Sequence, residues 1–187
     1  HGAGVMASAL ETVNRVLENR VSGQKDSITL LHSRVKKLSS LSLERALETI
    51  LETVAILAGM TSGAVWVPGP DRSRLVPAST FGWDADTPRD ASLDAETTVE
   101  GYVIRNNRPF SARMTLEGSE FSRFDTARNL IAMPIVVRGE AWGVLNVEDM
   151  PFECYSAYSE SVISIVLSLA EPYLRDILEY DALHRQG

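Results

Sequence analysis

The sequence is poor in the side chains that most catalytic and disulfide-stabilised proteins require. Its 187 residues include a single cysteine, Cys154, and the three histidines are His1, His32 and His184. One cysteine excludes an internal disulfide and a cysteine-rich zinc site. Residues 33–183 contain no histidine, so this part of the chain has no His general base, no His metal ligand and no His for haem. We therefore predict no enzymatic activity, no metal and no cofactor.

The chain also lacks a surplus of positive charge and a long hydrophobic run. It carries 18 Lys+Arg against 25 Asp+Glu, so the attraction that drives non-specific nucleic-acid binding is missing. No run approaches the roughly 18 apolar residues that cross a bilayer, and no signal-peptide pattern opens the chain. The sequence predicts a cytoplasmic protein with no nucleic-acid partner, which would meet a membrane only through flanking segments.

Charge divides the chain near residue 40. The first 40 residues have a net charge of +3, whereas the remainder has −10. We interpret residues 1–4 as a cloning scar, residues 5–40 as a coiled-coil or linker helix, and residues 41–187 as one compact domain that ends in a long helix. A composition of 44% hydrophobic and 23% charged residues is typical of a globular protein that can bury a core.

A heptad pattern runs through the first segment and predicts a parallel two-stranded coiled coil. β-branched residues at a with Leu at d favour two strands, and a buried Asn at a, here Asn14, fixes the register. The alternative is an amphipathic helix folded back on its own domain. The predicted homodimer interface consists of Leu10, Asn14, Leu17, Val21, Ile28, Leu31, Val35 and Leu38.

Residues 41–187 alternate between helical and strand-like patterns. Short turns join the neighbouring strands, which predicts an α+β fold with a mostly antiparallel sheet. The predicted helices span 42–60, 98–106 and 156–183, and the predicted strands span 64–67, 75–81, 109–113, 130–138 and 141–148.

Two pieces of this domain resemble the GAF family. One is VEGYVIRNNRPF, with Gly101, Val103, Pro109 and Phe110, and the other is LIAMPIVVRGEAWGVLNVED at 130–149. The resemblance covers about residues 41–178. It implies a central antiparallel sheet with flanking helices and a non-catalytic regulatory role. In that family small molecules bind to the sheet face opposite the terminal helices.

The stretch NVEDMPFECY, residues 146–155, is similar to the GAF domain of the regulators of Pel exopolysaccharide export. That similarity implies a role in biofilm formation and cyclic di-GMP signalling. It further implies transmembrane helices before the basic segment and a nucleotide-binding output domain after Gly187. The chain would then be the cytosolic part of an inner-membrane protein.

The GAF resemblance also implies a ligand pocket. The residues expected to line it are Phe81, Trp83, Phe110, Phe121, Phe124, Arg128, Met133, Trp142 and Asn146. Asn146 is the most informative of them, because a polar group on an apolar sheet face needs a partner. Arg123 and Arg128 could pair with an anionic ligand. The alternative is that the aromatic residues fill a dry core while Asn146 bonds to the backbone.

The sequence thus predicts a sensory or regulatory module that dimerises through parallel helices and relays a signal between flanking domains. An unidentified small molecule or a neighbouring domain would change the packing of the pocket, and the helices would transmit that change. The alternative function is a dimerisation and scaffolding domain whose pocket is vestigial.

Overall fold

The computed structural model describes residues 42–86, 92–114 and 119–185, together with Leu31 and Ser33. These residues form an α+β fold, which confirms the predicted class. Its helices are α1 (Leu43–Ala58), α2 (Val99–Asn106) and α3 (Ala157–Arg185), and short 3-10 helices lie at Ala112–Met114 and Phe152–Cys154. The strands are β1 (Ser62–Pro68), β2 (Arg74–Phe81), β3 (Leu93–Asp94), β4 (Phe110–Ser111), β5 (Ile131–Val137) and β6 (Glu140–Asp149).

The six strands form one antiparallel sheet in the order β3-β2-β1-β6-β5-β4. The β5–β6 hairpin turns at Arg138 and Gly139, whose φ angles of 56° and 79° are those of a type I′ turn. The sequence placed this turn one residue later, at Gly139-Glu140. Strand pairing across β1 and β6 brings the two hairpins together at the centre of the sheet.

Helix α1 begins and ends where local chemistry favours it. The Ser42 side chain caps its start by accepting a hydrogen bond from the Arg45 amide at 3.4 Å. Gly59 closes it with a φ of 84°, in the left-handed region that favours glycine. The predicted end at residue 60 was therefore slightly late, because the helix ends at Ala58.

Hydrophobic residues pack on both faces of the sheet. On one face α1 and α3 cover the larger core, which includes Leu47, Ile50 and Ile163. On the other face α2 and the loops cover a smaller core. Alternation along β6 divides its residues between the two, because Leu145 and Val147 belong to the larger core while Val144 belongs to the smaller one.

Helix α2 is held tightly against the chain that precedes it. The Thr98 hydroxyl caps its start by accepting from the Gly101 amide at 3.3 Å. Gly101 lies directly on the backbone of Ala95, and the Arg105 guanidinium donates to the carbonyl of that same residue. These contacts fix the position of Glu100, which lies in the first turn of α2.

Candidate ligand-binding cleft

A cleft of about 340 Å³ opens on the side of the sheet that α2 covers, opposite α1 and α3. Its walls come from β1, β6, the chain after β2, the start of α2 and the loop before β5. The lining residues are Trp66, Trp83, Leu93, Thr97, Thr98, Glu100, Asp125, Ala127, Arg128, Asn129, Asn146 and Glu148. The volume lies near the lower end of the roughly 300–1,000 Å³ that small-molecule sites occupy.

Three buried polar side chains form a hydrogen-bonded network at this cleft. Glu100, Asn129 and Asn146 are only 6%, 5% and 2% exposed. The amide nitrogen of Asn129 donates both to Oε1 of Glu100 at 2.7 Å and to Oδ1 of Asn146 at 2.9 Å. The Asn146 amide donates in turn to the carbonyl of Arg128 at 3.1 Å. The network therefore ties α2 to β6 and to the loop before β5.

Two tryptophans form the aromatic part of the wall. The rings of Trp66 and Trp83 have their centroids 6.0 Å apart and are inclined by 50°. Trp66 is almost fully buried in β1, whereas Trp83 is half-buried. The indole nitrogen of Trp83 donates to Oε1 of Glu148 at 2.6 Å. This bond fixes the Trp83 ring and holds a carboxylate at the edge of the cleft.

The carboxyl of Glu100 has a perturbed pKa. Burial raises the pKa of the Glu100 carboxyl above its ordinary value. Hydrogen bonds from its own backbone amide and from Asn129 act in the opposite direction, and the nearby charge of Glu148 raises the pKa further. The arrangement is suited to holding a polar ligand against aromatic rings.

We expect Glu100→Gln to stabilise the protein at neutral pH. Because the pKa is raised in the fold, the folded state binds the proton more tightly than the unfolded chain, so the free energy of unfolding decreases as pH rises through the raised value. Glutamine keeps the acceptor for Asn129 and removes the buried charge. In melts followed by circular dichroism, the variant's Tm should exceed the wild-type Tm at about pH 7 and approach it at about pH 4.

The exposed Glu153 provides the matched control, since Glu153→Gln removes the same charge from a side chain that is not buried. Its Tm should follow the wild type at every pH. A lower Tm for Glu100→Gln at neutral pH would show that the ionised carboxylate stabilises the fold. For a domain of this size, each kcal/mol of stabilisation corresponds to roughly 2–4 °C.

Comparison with protein families identifies the fold. The family model of the GAF domain matches residues 42–172. The chain belongs to the GAF family. This confirms the resemblance found in the sequence, and GAF domains generally serve as regulatory modules of signalling proteins. No curated protein matches the chain.

Solved GAF domains superpose on most of the chain. The GAF domain of a phosphoenolpyruvate-protein phosphotransferase from Coxiella burnetii has a TM-score of 0.62 at 14% identity, and the match covers 86% of this chain and 99% of that chain. The corresponding Acinetobacter domain has a TM-score of 0.61 at 16% identity, with coverages of 83% and 97%. PelD 158-CT from Pseudomonas aeruginosa PAO1 has a TM-score of 0.51 at 18% identity, with 91% of this chain and 49% of that chain covered. Likeness at these identities shows the fold alone.

The GAF cleft contains three of the nine residues that the sequence assigned to a pocket. Trp83, Arg128 and Asn146 line it. Alternation correctly placed Asn146 on the same sheet face as Val144. Asn146 lines the cleft and also bonds to the backbone carbonyl of Arg128, so elements of both alternatives that the sequence left open are present. Its bond to the Asn129 side chain was not anticipated.

Three phenylalanines of the predicted set lie on the same side of the sheet but fill its core instead of lining the cleft. Phe110, Phe121 and Phe124 are at most 8% exposed. The rings of Phe110 and Phe121 meet edge to face, with centroids 4.9 Å apart. This part of the GAF domain matches the dry-core alternative.

The structure does not bring Phe81, Met133 and Trp142 to the cleft, because all three pack against the larger core on the opposite face. For Trp142 the cause is a β-bulge, since Ala141 and Gly143 pair with successive residues of β5 and Trp142 is the extra residue. A second bulge in β2, before Ser79, reverses the face of Phe81 relative to Leu75. Met133 pairs with Leu145, so regular alternation already places it on the helix side.

Sequence reasoning missed the two most polar features of the cleft. Glu100 was given no role in the sequence analysis, although the helix places it on the buried side next to Val99. Glu148 lies two residues beyond Asn146 on β6, and alternation could have found it. Trp66 could have been found in the same way, because its neighbours Val65 and Val67 pack on the opposite face.

Most of the predicted dimer interface lies outside the described residues: Leu10, Asn14, Leu17, Val21, Ile28, Val35 and Leu38. Leu31 is helical, half-buried and packed against the larger core. That contact is the one expected if the helix folds back on its own domain, the alternative named for this segment. The dimer interface stays a prediction. Within the part of the chain that the structure describes, no helix is long and apolar enough to cross a membrane.

Proposed function

We propose that this GAF domain is a non-catalytic sensory module that joins a second copy through parallel helices and relays a signal between flanking domains of a larger bacterial protein. The cleft would take the signal, and the helices before and after the sheet would transmit it. Both cleft and transmitting helix contact the same sheet, since Asn146 and Leu145 are adjacent on β6 and face the cleft and the helical core respectively.

The observation that carries the dimer proposal is the apolar surface of α3. This helix has 29 residues, which corresponds to a length of about 43 Å at 1.5 Å per residue. Leu169, Tyr180 and Leu183 on it are 40%, 60% and 72% exposed. Spacings of eleven and three residues place them near one face of the helix. Together with the heptads of residues 5–40, this surface supports helix pairing between two copies.

The finer proposal is a role in Pel exopolysaccharide export. It is supported by the stretch VEDMPF at 147–152 and by the similarity of fold to PelD. In that role the module would lie in the cytosol, anchored through segments outside this chain, and would pass its signal to a cyclic di-GMP output domain. The alternative, a scaffolding domain with a vestigial pocket, is supported by the packed phenylalanines.

The dimer proposal is tested by light scattering on the purified chain at micromolar concentration. We expect a dimer, and we expect Asn14→Leu to populate higher oligomers because the buried Asn no longer selects two strands. The pair Tyr180→Glu and Leu183→Glu should favour the monomer. The control is Met114→Glu, at an exposed apolar residue of a 3-10 helix, which should leave the dimer intact. A wild-type monomer would overturn the proposal.

A further inference from the structure

The charge of the cleft is unbalanced. Among the described residues, three carboxylates, those of Glu100, Asp125 and Glu148, line it, together with one basic side chain, Arg128. The other arginine expected near an anionic ligand, Arg123, instead lies over the ring of Phe124, with its guanidinium carbon 4.7 Å from the centroid. The lining therefore disfavours an anion.

The aromatic wall has the complementary property. The face of an indole ring carries negative potential and attracts a cation placed within about 6 Å of its centroid. Trp66 and Trp83 both line the cleft, and their rings are inclined by 50° instead of being stacked in parallel. The Trp83 ring is held in place by its bond to Glu148.

Glu100 supplies a buried carboxyl group that a positive group could contact. It is 94% buried, it lines the cleft, and burial excludes the water that would otherwise screen its charge. The charge of Glu148 is near enough to act on it unfavourably. A cation that contacts both carboxylates would convert this repulsion into two attractions.

The size and ligand set favour an organic cation over a metal ion. Among residues 42–86, 92–114 and 119–185, no three His, Cys, Asp or Glu side chains are grouped to hold a metal ion. Two tryptophan rings and a cleft of about 340 Å³ suit a ligand with carbon substituents.

We propose that the cleft binds a small organic cation, an alkylammonium or a guanidinium, between the rings of Trp66 and Trp83 and the carboxylates of Glu100 and Glu148. The inference rests on the proposed sensory function, because it names the chemical class of the effector at that same cleft. The carboxylates set the charge preference, and the rings exclude water and select carbon-bearing cations over simple ions.

The test is calorimetric titration of the full chain with choline, putrescine and agmatine as chloride salts at constant ionic strength. The neutral carbon isostere of choline and inorganic phosphate serve as the uncharged and anionic probes. We expect at least one organic cation to bind, and we expect the neutral isostere of choline and inorganic phosphate each to bind at least about tenfold more weakly than that cation. Tryptophan fluorescence should change on binding, since Trp66 and Trp83 contact the ligand.

Three variants show whether binding occurs in this cleft. Glu100→Gln and Glu148→Gln each keep the side-chain shape and an acceptor for the Asn129 or Trp83 donor, and each should weaken cation binding about tenfold or more. Glu153→Gln, which removes an exposed charge outside the cleft lining, should not. Folding of every variant is checked by circular dichroism. If Glu100→Gln failed to fold, Glu148→Gln would decide the question.

The outcomes separate this inference from the proposed function. Three results with a dimeric protein would overturn the cation inference and leave the dimeric module in place. They are that no cation binds, that the neutral isostere binds equally well, or that Glu148→Gln does not weaken cation binding. Preferential binding of phosphate would overturn it in the same way. A monomeric protein that binds the cation would support the cleft chemistry and overturn the dimeric relay.

Discussion

Replacing Gly101 by alanine is expected to destabilise the protein by about 3 kcal/mol, although alanine is the better helix former. A Cβ at this position would collide with the carbonyl oxygen of Ala95 and would lie 2.5 Å from its carbonyl carbon. Both atoms are backbone, so α2 must move away to accept the methyl group. Urea unfolding at neutral pH measures the loss.

Gly139→Ala is the matched control. Gly139 has a φ of 79° but no atom within 4 Å of an added Cβ, so only the left-handed backbone penalty of roughly 1–2 kcal/mol applies. Gly101→Ala should therefore cost more, even though its helical backbone is unstrained. If it proved neutral or stabilising, as helix propensity alone predicts, the close approach of α2 to Ala95 would be wrong.

The sequence predicted the elements of this fold well because their boundaries depend on local chemistry. Ser42 and Thr98 were identified as helix starts, and both cap their helices through side-chain oxygens. A short turn connects β1 and β2, as the sequence predicted for neighbouring strands. Such signals act within a few residues, so they can be read without knowledge of the tertiary structure.

The site was predicted less completely because it depends on which face of the sheet each side chain occupies. One extra residue in a strand reverses the face of everything beyond it. The bulge at Trp142 has this effect. Gly143, which follows it, is a residue that often marks a bulge, but strict alternation was assumed along the strand. Asn146 lies in the part of β6 whose pairing with β5 is regular, so alternation predicted its face correctly.

The polar network was missed for a different reason. Glutamate in the first turn of a helix is common, because it interacts favourably with the helix dipole. Nothing in the sequence near Glu100 shows that Asn129, far along the chain, lies within hydrogen-bond distance of it. A buried pair formed across such a separation is a property of the fold, so it could be recognised only from the structure.

Asn129→Leu is expected to destabilise the protein by about 2–4 kcal/mol at neutral pH. Leucine has a similar volume, so the main effect is the loss of two donated hydrogen bonds. Oε1 of Glu100 and Oδ1 of Asn146 would lose this donor, and both residues are at least 94% buried. Urea unfolding measures the loss. Asn106→Leu is the control, because Asn106 is exposed and bonds only to its own helix, so its effect should be small.

A double-mutant cycle with Glu100→Gln isolates the part of this loss that comes from the buried charge. An ionised carboxylate without its donor is more costly than a neutral amide in the same place. Asn129→Leu should therefore cost less in the Glu100→Gln background than in the wild type, by about 1 kcal/mol or more. The difference should shrink as pH falls, because the raised pKa of Glu100 means that its carboxyl is protonated before an exposed glutamate would be. Equal losses in both backgrounds at every pH would show that Asn129 does not support the Glu100 charge, and the electrostatic account of the cleft would fail with it.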